Sequence, residues 1–184
     1  EHDQRIKEVH GLVGELEAIE ESIRHPPSSD ATRVALLKRI IEHRSVLSEQ
    51  TNDDPLVQEQ LAMAWERLAS IPLLENDESE FDGRITAWDA AIELRTSLDN
   101  LFNLTGTRYS LGVFGLDIAM SEGHSSKLRL QAARRAKMEF TWCRDNGDYT
   151  LLASAKEPFQ ELLDEEIAAC STAINEIRAE ITDS

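Results

Sequence analysis

The segment from His124 to Arg144 concentrates basic side chains in a chain that is otherwise acidic. The whole chain has 19 basic and 35 acidic residues and a formal net charge of −16. In this segment the only acid is Glu139, and the bases are Lys127, Arg129, Arg134, Arg135, Lys137 and Arg144. Such a patch can bind an acidic peptide or a phosphate.

The alternative role of the basic patch is internal pairing. Its partners would be acids of the last predicted helix, among them Glu161, Asp164, Glu165 and Glu166, or the acidic segment 73–83. Surface pairs of this kind contribute little stability but can fix how helices dock. We favour internal pairing.

Other residue types in the chain offer little chemistry. Cys143 and Cys170 have no CxxC spacing and no companion histidine, so we predict no metal site; whether they form a disulfide depends on geometry. Carboxylates such as Asp53 and Asp54 are adjacent and point apart on a helix. We find no convergent nucleophile, base or cofactor motif, so we predict that the protein is not an enzyme and uses no cofactor.

Charge and hydropathy restrict the partners. A strongly acidic chain is a poor ligand for nucleic acid and for anionic membranes. No run of about 18 apolar residues occurs, and the opening residues are too charged for a signal peptide. We therefore expect a protein or peptide partner, no nucleic acid, no direct membrane contact, and a location in the cytoplasm or in the soluble part of a membrane-anchored protein. The oligomeric state is open.

Apolar periodicity predicts an all-α fold of about seven antiparallel helices, because apolar residues recur with the 3.6-residue period of a helix and no long alternation of period two occurs. The helix from about 108 to 121 is apolar on most sides, and its Gly112 and Gly115 predict close approach of a neighbouring helix. The other predicted helices span about 3–24, 30–50, 55–71, 83–103, 126–144 and 157–181.

Two short stretches, "AWERLAS" at 64–70 and "ITAWDAAIEL" at 85–94, carry aromatic and small residues at matching spacing. Together they resemble a tetratricopeptide repeat, with Trp65, Leu68 and Ala69 in the first helix and Trp88 and Ala91 in the second. More widely, residues 12–100 resemble the helical repeat region attached to many bacterial serine/threonine protein kinases and related regulators. The chain itself contains no kinase motif.

The resemblance implies a non-catalytic interaction or regulatory module belonging to a larger bacterial signalling protein. It divides one helical domain, 1–184, into an N-terminal helical pair (1–54), a repeat hairpin with an insertion (55–103), a degenerate second hairpin (104–146) and a C-terminal capping helix (147–184). The inner surface of the hairpins would bind the partner. The residues predicted there are Met63, Glu66, Ser70, Arg108 and Asp117.

Two arrangements remain open for these helices. In a tetratricopeptide-like α-solenoid the groove is accessible, whereas in a compact helical bundle the first and last helices fill it. The bundle would serve instead as a sensor domain that binds a small ligand in an aromatic-lined pocket. The aromatic residues predicted to line that pocket are Trp65, Trp88, Phe114 and Trp142.

Overall fold

A computed structural model describes residues 29–73, 78–148 and 156–182, and within these ranges the chain forms six α-helices and no strand. The helices are α1 (Asp30–Gln50), α2 (Pro55–Ala69), α3 (Glu78–Ser97), α4 (Leu101–Met120), α5 (Ser126–Asn146) and α6 (Lys156–Thr182). The predicted all-α fold is confirmed. The first of the seven predicted helices, residues 3–24, lies outside the described residues.

Side-chain caps fix the start of several helices. Ser29 accepts a hydrogen bond from the Thr32 amide at the start of α1, and Ser125 does the same for Leu128 at the start of α5. Asp54 caps α2, and Pro55 is the first residue of that helix. Proline is tolerated there because an N–H group at this position would have no acceptor inside the helix. These caps satisfy amides that the first turn leaves unpaired, and the helices predicted to begin at about 30, 55 and 126 begin at them.

The break between α3 and α4 falls at Leu98–Asn100, so the predicted break at 103–107 is wrong. Asp99 takes a positive φ of 52°, and the Asn100 side chain accepts from the Asn103 amide. The hydroxyls of Thr105 and Thr107 donate to carbonyl oxygens one turn earlier, at 2.7 and 3.0 Å. Threonine satisfied in this way remains in a helix, so the predicted boundary between residues 103 and 104 lies inside α4.

The acidic segment after Pro72 is also more helical than predicted. We expected a loop as far as Gly83, but α3 already begins at Glu78. Two acids, Glu78 and Glu80, lie in its first turn, where the positive end of the helix dipole favours negative charge. The acidic composition that we interpreted as a loop is therefore a helix start.

The described helices fall into two units, each with its own core. The first unit contains α1, α2 and α3 from Gly83 onward. Its fully or nearly buried apolar residues include four of the five repeat-like positions, with only Trp65 left partly exposed. Other apolar side chains buried in this unit include Leu37, Ile40, Ile41, Leu61, Ile71 and Ile92.

The second unit contains the first turn of α3 together with α4, α5 and α6. α4 packs against both α5 and α6, and its mainly apolar sequence matches burial on several sides. A Cβ on Gly112 would lie 2.5 Å from a Phe140 ring carbon, and one on Gly115 would lie 2.9 Å from the Ala132 carbonyl oxygen. The predicted close approach of a neighbouring helix at the two glycines is confirmed, and that helix is α5.

Candidate functional site

A buried carboxylate lies between two arginines in the second unit. The Glu139 side chain on α5 has no exposed surface. Arg108 of α4 donates from Nη1 to Glu139 Oε2 at 2.7 Å, and Arg135 Nε lies 2.8 Å from Oε1 in an ion pair that is not aligned as a hydrogen bond. Two cations thus share one anion, and we call Arg108, Arg135 and Glu139 the Glu139 cluster. Its formal charge is +1.

The backbone explains why these three side chains meet. Arg135 and Glu139 are one helical turn apart and therefore lie on the same face of α5. Arg108 reaches them from α4, which lies close to α5 because of the glycines described above. Removing a carboxylate from water costs several kcal/mol unless partners compensate for the lost hydration. The two guanidinium groups supply that compensation.

Trp142 holds Arg108 in place. The guanidinium carbon of Arg108 lies 4.3 Å from the centre of the Trp142 ring, within the range of a cation–π interaction. Trp142 follows Glu139 by three residues, so one stretch of α5 supplies both the anionic and the aromatic partner of the arginine. Arg108 Nε is buried and has no hydrogen-bond acceptor among the described residues.

Cys143 lies next to this cluster, and its thiol has low reactivity. Its thiol is fully buried and donates a weak hydrogen bond, 3.6 Å long, to the Thr105 carbonyl oxygen. Burial, reinforced by the negative charge of Glu139, raises the pKa of Cys143 to about 12. Burial likewise raises the pKa of Cys170, on α6, to about 11. Neither cysteine is in a disulfide. Because their pKa values are raised, each is a protonated thiol at neutral pH and a poor nucleophile.

The first unit contains a cluster with the opposite arrangement. Arg95 of α3 has a side chain only 6% exposed and donates from Nε and Nη2 to the two oxygens of Glu66, at 2.8 and 3.0 Å. Its Nη1 donates to Glu59 at 2.5 Å. We call these three residues the Arg95 cluster, with a formal charge of −1. Burial alone would lower the pKa of Arg95, but the hydrogen bonds to Glu66 and Glu59 outweigh it and leave the pKa raised.

The structure places the residues predicted to line a groove in different settings. Glu66 is in the Arg95 cluster and Arg108 is in the Glu139 cluster. Met63, Ser70 and Asp117 are exposed. Met63, Glu66 and Ser70 belong to the first unit, and the other two belong to the second. A common groove remains a prediction.

Most of the basic patch pairs internally, as we favoured from the sequence. Lys127, Arg129 and Arg144 pair with acids of the acidic segment and of the last helix, which were the expected partners. Arg135 pairs instead with Glu139 of α5 itself, which was not among them. Arg134 is exposed and Lys137 is half-buried. The paired bases are Lys127 with Glu78 (2.7 Å), Arg129 with Glu180 (3.0 Å), Arg135 with Glu139 (2.8 Å) and Arg144 with Asp164 (3.4 Å).

The aromatics predicted to line a pocket mostly serve packing within their own units. Trp88 is 3% exposed and Trp65 is half-buried, both in the first unit. In the second unit, Phe114 stacks on Phe81 with ring centres 6.4 Å apart. Trp142 is the exception, because its ring contacts a cation.

Comparison with known proteins returned no matching family model, curated protein or solved structure. The resemblance to a tetratricopeptide repeat therefore remains a prediction. Within the described ranges, no group of three or more His, Cys, Asp and Glu side chains is placed to hold a metal ion. Nor does any helix in these ranges have the length and apolar character needed to cross a membrane.

Our sequence interpretation missed both clusters, although a signal for each was present. Arg95 follows Trp88 and Ala91 by seven and four residues, and therefore occupies the apolar face of its helix. Glu139 lies three residues after Ala136 and four before Cys143, also on an apolar face. A charged residue in such a position must find a charged partner. The sequence does not say which residue on another helix that partner is.

Proposed function

We propose that this protein is a non-catalytic interaction module that binds a protein partner through the exposed face of α5. The observation that carries the proposal is the composition of that face. Residues 127, 131, 134 and 138 recur at spacings of four, three and four, which places them along one side of the helix, and all four are exposed. We call this stripe the α5 face.

The two halves of the α5 face differ. Lys127 donates to Glu78, and Gln131 donates to Asp82 at 3.4 Å, so the first half lies against the start of α3. The second half presents an exposed arginine, Arg134, and Met138, whose surface is 51% exposed. A flexible apolar side chain beside a cation is typical of adaptable protein-binding surfaces. In a chain of net charge −16, this surface favours an acidic partner.

Two further features support an interaction role over catalysis. The cysteines are buried and protonated, and the most buried charged side chains serve pairing between helices. Short connections between successive helices within one unit, for example 51–54 and 121–125, together with the burial of Leu68, Ala69 and Ala91, support a tetratricopeptide-like arrangement of hairpins. Within this proposal, the module is the regulatory part of a larger bacterial signalling protein.

Site-specific crosslinking tests the proposed surface. A photoreactive amino acid at position 138 should yield a discrete crosslinked partner in cells, while the same residue at exposed position 176 on α6 should not. Arg134→Glu should abolish that crosslink and leave Tm unchanged. The matched control is Arg178→Glu, which makes the same charge change at an exposed arginine of α6. This variant should retain the crosslink from position 138. Equal crosslinking from 138 and 176, or equal loss in both variants, would contradict the proposal.

A further inference from the structure

The second half of the α5 face presents a cation and an apolar side chain to solvent. Arg134 is exposed, and Met138, one turn later, is 51% exposed. Among the described residues Arg134 has no hydrogen-bond or ion-pair partner, whereas Lys127, Arg129 and Arg144 of the same helix pair with acids. The charge of Arg134 is therefore available to another molecule.

α6, in the same unit, presents a complementary surface. Leu162 is 36% exposed, and the acids Glu161 and Glu165 beside it are exposed as well. Residue 165 follows the other two by four and three positions, so the three side chains share one side of the helix. Within the described ranges neither acid has a hydrogen-bond or ion-pair partner. We call these three residues the α6 face.

We infer that the partner bound by the α5 face is a second copy of this chain, which presents its α6 face. The inference rests on the proposed function, because it names the partner of that surface. In this contact Met138 of one copy packs against Leu162 of the other. Arg134 then lies against the two acids that flank the leucine. An apolar side chain beside a cation thus meets an apolar side chain between two anions, and complementarity of this kind selects the partner and fixes the register.

The register of α5 and α6 prevents one copy from forming this contact with itself. The ion pairs Arg129–Glu180 and Arg144–Asp164 show that the two helices run antiparallel. In that register Arg134 lies about two and a half turns, or roughly 14 Å, along the helix axis from the α6 face. This separation is too large for an ion pair within one copy, so the pairing requires a second one.

The small size of the two surfaces predicts a weak and reversible contact. Each spans about one helical turn, which places the buried area at the low end of specific interfaces. Two copies with a net charge of −16 repel each other at long range, but physiological salt screens charges that are more than about 8 Å apart. The contact therefore depends on a few complementary residues.

Sedimentation equilibrium of the purified protein tests the inference. At physiological salt, the average mass should rise above the 20.7 kDa of one chain between about 10 µM and about 500 µM protein. Arg134→Glu and Glu165→Lys should each weaken this association at least about tenfold, because like charges then face each other. The matched controls Arg178→Glu and Glu176→Lys should associate as the unmodified protein does. All four positions are exposed, so Tm should be unchanged.

Mixing the two weakened variants separates complementarity from net charge. Each substitution changes the charge by two units, from −16 to −18 for Arg134→Glu and to −14 for Glu165→Lys. A mixed pair therefore has the same total charge as two unmodified copies. In an equimolar mixture each new charge meets its opposite on the other variant, so association should return. A photoreactive amino acid at position 138 of the purified protein should crosslink to residues 161–165 of another copy.

The outcomes distinguish this inference from the proposed function. A mass of 20.7 kDa at all concentrations, equal association of Arg134→Glu and Arg178→Glu, or a mixture that stays monomeric would each overturn the inference. A crosslink in cells from position 138 to a different protein alone would also overturn it, while supporting the proposed function. Self-association of the purified protein with no crosslink from position 138 in cells would instead overturn the proposed function and leave the contact between copies.

Discussion

The Arg95 cluster and the Glu139 cluster are built on the same plan with opposite charges. Each has one almost completely buried charged group that contacts two partly exposed groups of the other sign. In the first unit an arginine lies between two glutamates that are 28% and 23% exposed. In the second unit a glutamate lies between two arginines that are 20% and 22% exposed.

The two clusters differ in how many aligned hydrogen bonds the central charged group forms with its two neighbours. Arg95 has donors enough for both carboxylates and makes three aligned hydrogen bonds to them. Glu139 accepts one aligned hydrogen bond from Arg108 and forms a non-aligned ion pair with Arg135. The first cluster is therefore well satisfied and has the sign of the rest of the chain. The second cluster has the opposite formal sign, and in it Arg108 Nε has no hydrogen-bond acceptor among the described residues.

The largest effect is expected from removing the interhelical partner of the fully buried charge. Arg108→Met should lower the free energy of unfolding by about 3–5 kcal/mol, because Glu139 would stay buried with only a non-aligned partner. Urea denaturation measures the change. Arg178→Met, at an exposed site on α6, should stay within about 0.5 kcal/mol. Similar losses in the two variants would mean that the Glu139 cluster contributes no more than a surface arginine.

The next largest effect is expected from a variant that tests whether close packing of α4 on α5 maintains the Glu139 cluster. Gly115→Ala would place a Cβ 2.9 Å from the Ala132 carbonyl oxygen. A backbone atom yields only if the helices separate, so we expect a loss of about 1–3 kcal/mol and a change in the Trp142 environment, measured by the Trp142 indole resonance. Gly106→Ala is the matched control on the same helix. Its Cβ would meet nothing within 4 Å, and the variant should be more stable by up to about 1 kcal/mol. A stable Gly115→Ala protein would show that the helices tolerate separation.

A smaller effect is expected in the first unit. Glu66→Gln should cost on the order of 1–2 kcal/mol, because Arg95 keeps Glu59 and the replacement still offers one acceptor. Glu59→Gln should cost less, since Glu59 accepts one hydrogen bond from Arg95 and Glu66 accepts two. Thermal or urea unfolding of both variants gives the order. If Glu66→Gln were as damaging as Arg108→Met, the contrast between the two clusters would be lost.

The last effect appears only at alkaline pH and concerns the two buried thiols of the second unit, Cys143 and Cys170. The ordinary thiol pKa is 9.0, and the folded values are about 12 for Cys143 and about 11 for Cys170. Because the folded state holds these protons more tightly, the stability due to the neutral thiols is present below pH 9 and is lost as the pH rises from 9 toward 12. Cys143→Ala should therefore show a shallower decrease in unfolding free energy between pH 9 and 11 than the unmodified protein.

A labelling experiment gives the matched readout. Neither thiol should react with a thiol reagent in the native protein at pH 8, and both should react after unfolding, because reaction requires an exposed thiolate. The first unit contains no cysteine, so hydrogen exchange of its amides should be insensitive to Cys143→Ala. Rapid labelling of the native protein would contradict the buried, protonated state.

Features of the fold that depend on a few neighbouring residues were predicted correctly more often than features that depend on contacts between helices. The predicted starts at about 55 and 126 agree with the structure, where Asp54 and Ser125 cap the helices, and capping is a local signal because it involves residues within one turn. The predicted position of the break between α3 and α4 was wrong. The helix start at Asn100 has only a weak sequence signal, whereas the segment 103–107 contains Thr and Gly and resembles a segment that ends a helix. Here burial of the helix outweighed local preference, as tertiary context often does.

For the candidate site, composition indicated the basic patch, and we favoured its internal pairing from the sequence. The sequence did not show which individual residues pair. Arg108 and Arg135 were each singled out, one for a groove and one for the patch, and no pattern placed them on the same carboxylate. Glu139 was noticed only as the lone acid of the patch. Its role depends on the position of α4, which no local spacing specifies.

The sequence by itself determined the all-α class, the positions of most helix starts and the close approach required by Gly112 and Gly115, because period, capping and the absence of a side chain act over a few residues. Only the tertiary structure decided which charges meet. Arg95 and Glu139 lie on apolar faces that become buried, and a buried charge must be neutralised by whichever side chain the neighbouring helix brings within hydrogen-bonding distance. That depends on how far each helix is rotated and displaced, a property of the packed unit rather than of any single segment.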